Sequence, residues 1–303
     1  AGGLGLVFAQ HIARHASEAV ILLTGRSELK PAIVAQIETL NTFCRAVVYW
    51  TMDVANDAEV CEVVSQAVEQ YGTLHGVLHA AGVNNDGFFL GKQRDDIARV
   101  LSPKVTGVQL LDNATAHIAL DMFVVFSSTA SAMGNSGQVD YAAANGYLDA
   151  FAAKRAEEVA KQRRFGRSLA INWPLWEAGG MQVDAATKQN LETQAGMVAL
   201  PDQVGIQAFL EAYYYDAEQV MIIYGDQHKI KSLVVDKTLE KQMAKKRFAS
   251  PNQITDHTTV QNGNREQQKQ AAQHYLIKLL KEFLRLPEHA IDVDKPFFEL
   301  GID

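Results

Sequence analysis

The chain has 303 residues, 48% of them hydrophobic and 21% charged, with a formal net charge of −7. That composition excludes wholesale disorder, and 2 cysteines are too few for a disulfide framework and lack metal-ligand spacing. The longest apolar runs, such as 19–23 and 122–126, fall far below the roughly 18 residues that span a bilayer, and the acidic balance argues against nucleic acid as a bulk partner. No metal, no membrane and a reducing, cytoplasmic compartment are therefore expected.

In chain order, residues 4–15 carry Leu4, Val7, Phe8 and Ile12 at helical spacing. A short apolar run at 19–23 reads as a strand buried on both faces. A helix at 31–40, a strand at 46–50, a helix at 57–71 and a strand at 76–79 follow. Then come a helix at 100–116, a strand at 122–126 and a long helix at 142–164. Strands at 168–172 and 220–224 flank a helix at about 202–214. Strands alternating with helices of ten or more residues predict an α/β fold, a Rossmann-type doubly wound parallel sheet with helices on both faces.

Charge divides the chain: residues 1–236 carry a net −9 and residues 237–303 a net +2. Residues 237–270, rich in Gln, Asn, Thr and Lys, read as a polar linker. Helical periodicity returns from Tyr275 to Leu284. The expected organisation is a dinucleotide-binding catalytic domain at 1–236, the linker, and a small terminal segment at 271–303.

Gly2, Gly3 and Gly5, around Leu4, lie just ahead of a helix, where backbone N–H groups can approach a pyrophosphate at the positive helix end. Arg26 and Ser27 follow the next strand, where a Rossmann fold reads the adenosine ribose. An acidic residue there would accept the 2′-OH of NAD, whereas Arg26 can neutralise the 2′-phosphate of NADP. Asp53 and Val54 suit adenine contact, and Ala80-Ala81-Gly82 let the backbone approach the cofactor.

Ser127 and Ser128 end the strand at 122–126, on the edge where open α/β sheets place their chemistry. Tyr141 opens the long helix, and Asn145 lies one turn further on the same face. Reducing a carbonyl needs a hydride source, an acid for the developing alkoxide and a donor holding the oxygen. A tyrosine, with pKa of about 10, does acid–base work only when a cation stabilises its phenolate. Lys104 is the candidate cation.

The chain resembles a modular polyketide synthase ketoreductase, a branch of the short-chain dehydrogenase/reductase superfamily. The resemblance rests on Gly3-Leu4-Gly5, Leu22-Leu23-Thr24-Gly25-Arg26-Ser27, His79-Ala80-Ala81-Gly82-Val83 and Pro103-Lys104-Val105-Thr106-Gly107. It continues through Phe126-Ser127-Ser128, Tyr141-Ala142-Ala143-Ala144-Asn145, Asn172-Trp173-Pro174-Leu175-Trp176 and Gly179-Gly180-Met181. Typical short-chain dehydrogenases carry Lys four residues after the tyrosine; Asn145 stands there, and the ketoreductases' exchange of Lys and Asn puts the lysine at Lys104.

The resemblance implies that Tyr141 donates the proton and Ser128 holds the carbonyl. It implies that Lys104 lowers the tyrosine pKa, that Asn145 supports the proton relay and that NADPH supplies the hydride. Pro174 joins the cofactor contacts, and residues 177–200 resemble a mobile lid. The expected substrate is a β-ketoacyl thioester on an acyl carrier protein, with other synthase domains as partners. Asp86, Met133, Gln138, Trp176 and Met181 are the candidate substrate and stereocontrol residues. B-type members carry Leu-x-Asp after the His-Ala-Ala-Gly stretch, and A-type members carry Trp eight residues before the tyrosine. Here Asn84-Asn85-Asp86 keeps the Asp and Met133 replaces the Trp, which favours the B-type, D-configured product. Ala143 stands where epimerising B-type members carry Pro.

Residues 272–303, ending Pro296-Phe297-Phe298-Glu299-Leu300-Gly301-Ile302-Asp303, resemble the start of an acyl carrier protein, one residue short of its phosphopantetheine serine. The chain opens on the glycine cluster with no initiator Met. The expectation is that the first, central strand of the sheet, and a cofactor-free structural subdomain, are supplied upstream. A non-catalytic NADPH-binding domain of a synthase and a free-standing reductase are the alternative readings.

Overall fold

A computed structural model describes residues 2–179 and 183–234, all within one compact unit. The linker and carrier-like tail, and Gly180 and Met181, lie outside the described residues. Helix α1 (Gly3–His15) is followed by β1 (Val20–Gly25), α2 (Pro31–Leu40), β2 (Ala46–Thr51), α3 (Asp57–Tyr71) and β3 (Gly76–His79). Next come α4 (Arg94–Ala114), β4 (Met122–Ser128), α5 (Thr129–Met133), α6 (Val139–Ala160) and β5 (Arg167–Trp173). Then α7 (Ala185–Asn190), α8 (Asp202–Tyr214) and β6 (Gln219–Met221) complete the described order.

All strand pairs are parallel, with β1 on β2 and the order β3-β4-β5-β6 in the other sheet. Side-chain alternation along β4 explains why both faces are covered. Val124 and Phe126 join Phe8 of α1 and Ile206, Phe209 and Ala212 of α8. Phe123 and Val125 point the other way, onto Val108 of α4 and Leu148 and Ala152 of α6. Ala9 and Ala13 of α1 meet Ile37 and Leu40 of α2 over β1 and β2, while Val60, Val63 and Val64 of α3 pack near Met52 and Val54.

Between the two sheets lies a cavity of about 420 Å³, lined by Val20–Leu23 on one side and by His75, Gly76 and Leu78 on the other. Its walls include Phe8, Ala9 and Ile12 of α1.

Helix α4 begins at Arg94, six residues before the apolar periodicity becomes visible. Its first turn is polar, and a capping box between Gln93 and Asp96 starts it. Helix α6 stops at Ala160 instead of reaching residue 164, and Gln162 takes a positive φ of 59° just beyond. The short α5 escapes a periodicity reading because five residues show no repeat; the Ser128 side chain, accepting from Ala130 N–H at 3.2 Å, caps it.

Candidate active site

The carboxyl ends of β4 and β5 and the starts of α5 and α6 converge on one place. Ser128 ends β4, and Ser127 donates from Oγ to the Asn145 carbonyl at 3.1 Å. This bond draws the strand end against the tyrosine helix. Asn145 is fully buried; its Nδ2 donates to the Tyr141 carbonyl at 2.8 Å, and its Oδ1 has no protein partner. A buried acceptor without a partner costs stability.

Lys104 comes from α4 and is 4% exposed, and its Nζ donates to the Phe126 carbonyl at 2.9 Å. The ammonium stands 5.9 Å from the centroid of the Tyr141 ring. Burial brings the Lys104 pKa down to about 8, against the pull of Asp149, which raises it. Gly82 makes room for this side chain: a Cβ there would stand 2.8 Å from Lys104 Cε. His79, 3% exposed, contacts the Pro103 carbonyl through Nε2 at 3.0 Å. Burial, then the Lys104 charge, hold His79 down to about 3, with the Pro103 carbonyl opposing them. It is therefore a neutral prop under α4.

Burial pushes the Tyr141 phenol above its ordinary value; hydrogen bonding to Ser128 and Asn145 opposes the rise, and Asp86 adds to it. Desolvation is the largest influence on this phenol, and the Lys104 ammonium makes its own hydrogen bond to the Phe126 carbonyl. The consequence is a phenol that keeps its proton at neutral pH.

Behind these groups, Asn172 of β5 shares its Nδ2 protons among Ser127 Oγ at 3.0 Å, Ser131 Oγ at 2.8 Å and the Asp149 carboxylate at 2.9 Å. Ser131 in turn donates to Asp149 Oδ2 at 2.6 Å. This buried network braces the strand ends, and sequence patterning gives no sign of it beyond the polar residues at the ends of apolar runs.

On the substrate side, Gln138 is buried and donates from Nε2 to Asp86 Oδ2 at 3.0 Å. Met133, at the end of α5, is partly exposed. Trp176 does not join them. It is 3% exposed, packs edge-on against Trp173 at 4.9 Å, and fills the space beside Gly205, where a Cβ would meet its ring at 2.2 Å. Its assignment to the substrate surface is corrected: this indole is core. The backbone N–H of Leu200 donates to Leu175 at 2.7 Å and that of Glu177 to Leu200 at 3.1 Å, so both ends of the 177–200 segment are pinned.

The cofactor side has a different character. Gly2 caps α1 without a side-chain hydrogen bond, the first turn holds no acidic residue, and the added-Cβ positions of Gly2 and Gly5 meet nothing within 4 Å. A helix start with no acidic first turn and no side-chain cap leaves amides that fit a pyrophosphate. Arg26 is exposed and makes no ion pair among the described residues, and the Ser27 carbonyl accepts from Tyr49 OH. Asp53 Oδ1 accepts from Ala55 N–H at 3.0 Å, leaving its turn pre-formed. Val54 is buried, with its methyls against Gly107, so its side chain serves α4 packing. Ala80 and Ala81 are partly buried. Leu4 packs on the core that holds Trp173, and Pro174 follows β5 immediately. Among the described residues no group of three or more His, Cys, Asp or Glu could hold a metal, and no helix is long and apolar enough to cross a membrane.

Comparison with known proteins agrees with this geometry. Residues 1–178 match the KR domain family. The chain is 40% identical over 246 residues to polyketide synthase PksN of Bacillus subtilis strain 168, covering 81% of the chain and 4% of that protein. It is 35% identical over 305 residues to polyketide synthase PksL of the same organism, covering 100% of the chain and 7% of that protein. The chain thus spans a small fraction of the relatives it matches. The crystal structure of a ketoreductase domain from the bacillaene assembly line superposes with a TM-score of 0.75 at 40% identity, covering 76% of this chain and 55% of that one. With its Ser128, Lys104, Tyr141 and Asn145 converging on a parallel α/β sheet, the chain belongs to the KR domain family, the ketoreductases of polyketide synthases.

Proposed function

We propose that the chain reduces a β-ketoacyl group, carried as a phosphopantetheine thioester on an acyl carrier protein, to the β-hydroxyacyl product. The start of α1 and Arg26 would hold NADPH, which when bound would supply hydride to the β-carbon. Ser128 donates a hydrogen bond to the carbonyl oxygen, and Tyr141 transfers its phenolic proton to that oxygen as the C=O bond becomes C–OH. Asn145, with its Nδ2 on the Tyr141 carbonyl, supports the relay geometry by which solvent re-protonates Tyr141, and Lys104 would support the phenolate and hold the nicotinamide ribose. The observation that carries this reading is the half-buried Tyr141 set beside Ser128 and Asn145, with the Lys104 ammonium 5.9 Å from its ring.

Asp86, tied to Gln138, borders the same site from the loop after β3, and a methionine stands at 133. This supports B-type delivery and a D-configured alcohol. Incubation with NADPH and a β-ketoacyl thioester surrogate, followed by comparison with chiral standards, tests both parts. Turnover to the D-alcohol is expected; an L-alcohol would overturn the stereochemical part, and NADPH binding without turnover would overturn the reductase part.

A further inference from the structure

Lys92 and Asp140 are 48 residues apart in sequence, yet they form an ion pair at 2.5 Å with side chains only 4% and 2% exposed. A buried ion pair adds little stability over an apolar pair of the same shape, because desolvation offsets the attraction. Its value lies in geometry, and here the geometry joins two functional helices. Lys92 immediately precedes Gln93, the N-cap of α4, which carries Lys104. Asp140 lies in the first turn of α6, and its Oδ1 accepts the Tyr141 N–H at 2.9 Å. The second proton-bearing arm of Lys92 Nζ reaches the Asn85 carbonyl, beside Asp86.

Neighbouring bonds run the same way. Gly87 N–H donates to the Gly137 carbonyl at 2.9 Å, and Gln138 holds Asp86 at 3.0 Å. Gly137 takes a φ of +76°, and a Cβ on it would stand 3.7 Å from the Gly87 backbone, so the two segments run close together here. The segment from Asn85 to Lys92 is thereby strapped to the turn that delivers Tyr141.

We propose that Lys92 and Asp140 are positioning residues, an internal clamp that sets Tyr141 against Lys104 and keeps the Asp86 loop registered on the tyrosine helix. The proposal rests on the reading of Tyr141 as proton donor. Misplacing a reacting group by about 1 Å costs on the order of 100-fold in rate, which sets the expected scale.

The test compares Lys92→Met, Asp140→Leu and the paired Lys92→Met/Asp140→Leu in the full-length polypeptide, with a β-ketoacyl thioester surrogate. Lys92→Met should lower kcat by about 10- to 100-fold while KM changes by less than about threefold. The paired variant should regain Tm, as an apolar pair fills the site, but not kcat, and should make more of the minor alcohol configuration. Recovery of kcat together with Tm would assign the pair to stability alone and overturn the proposal, as would an unchanged kcat in Lys92→Met. Should Lys92→Met not fold, Asp140→Asn removes the charge and keeps an acceptor for Tyr141 N–H; an unchanged kcat there overturns the proposal as well. Turnover by Tyr141→Phe would overturn the proton-donor reading and this clamp with it. An inactive Tyr141→Phe beside a fully active Lys92→Met overturns the clamp alone.

Discussion

The two sides of the site are built on opposite terms. Around Tyr141, the polar groups are buried and engaged by the protein itself: Lys104 by Phe126, Asn145 by Tyr141, Asn172 by Asp149 and Asp140 by Lys92. Around α1 and β1, the groups are more open: a Cβ on Gly2 or Gly5 would meet nothing within 4 Å, and Arg26 is exposed and makes no ion pair among the described residues. A group that must act at a fixed place is held by neighbours, because preorganised dipoles need no rearrangement during the reaction. A group that must release its ligand every turnover is left for that ligand to satisfy. Substitutions on the two sides should therefore fail differently, the first in kcat or stability and the second in cofactor KM.

The largest effect should come from Tyr141→Phe, which removes the proton donor and leaves the packing in place. A loss of about 10³-fold in kcat is expected, with NADPH affinity measured by fluorescence titration nearly unchanged. Stability should depend most on Arg155, 2% exposed, which donates to Asp112 at 2.7 Å, Ser168 at 2.9 Å and the Phe165 carbonyl at 2.9 Å, over the Phe123 ring. Arg155→Met should cost about 3–5 kcal/mol in denaturant unfolding, the scale for breaking a buried charged pair.

On the open side, Arg26→Ala should raise KM for NADPH by about 10-fold and leave kcat and NADH kinetics nearly unchanged, a contact to a charged group being worth about 1.5–3 kcal/mol. The smallest effect is in pH. Lys104 is held at about 8 by burial, and its ammonium is the useful form, so kcat should decline as pH rises through about 8. Lys104→Arg, which stays charged, should weaken that decline if the larger head fits. The folded-state value lies below the unfolded one, so below about 8 the buried charge costs stability. That cost is relieved as pH rises from about 8 toward the unfolded value near 10.4. An alkaline rise in Tm alongside a falling kcat would be the signature.

Much of the scaffold was legible in the residue pattern because both faces of the sheet are covered. Buried parallel strands are continuous apolar runs, so the runs at 19–23, 46–50, 76–79, 122–126 and 168–172 mark β1 to β5 to within two residues of their observed ends. The ends were less legible. The start of α4 depends on the Gln93–Asp96 capping box, which has no apolar signal, and β6 ends at Met221, after which Ile222 N–H bonds only to Asn172. Ser128, Lys104, Tyr141 and Asn145 drew notice in the sequence because their types and spacing suit one reaction, and the structure brings them to the ends of β4 and α6. Trp176 misled because an aromatic after a strand reads equally well as core or as surface. The Lys92–Asp140 pair and the Asn172–Asp149 network were invisible, since each spans tens of residues and only the tertiary fold brings the partners together.

In the proposed reaction, hydride and proton reach one carbonyl held at Tyr141. Incubating the full-length polypeptide with [4,4-²H₂]NADPH and a β-ketoacyl thioester, then locating the deuterium in the product by NMR, tests it directly. The account predicts one deuterium on the carbinol carbon of a D-configured alcohol, formed in step with NADPH consumed. NADPH bound and retained, with no deuterium delivered to the thioester, would contradict it.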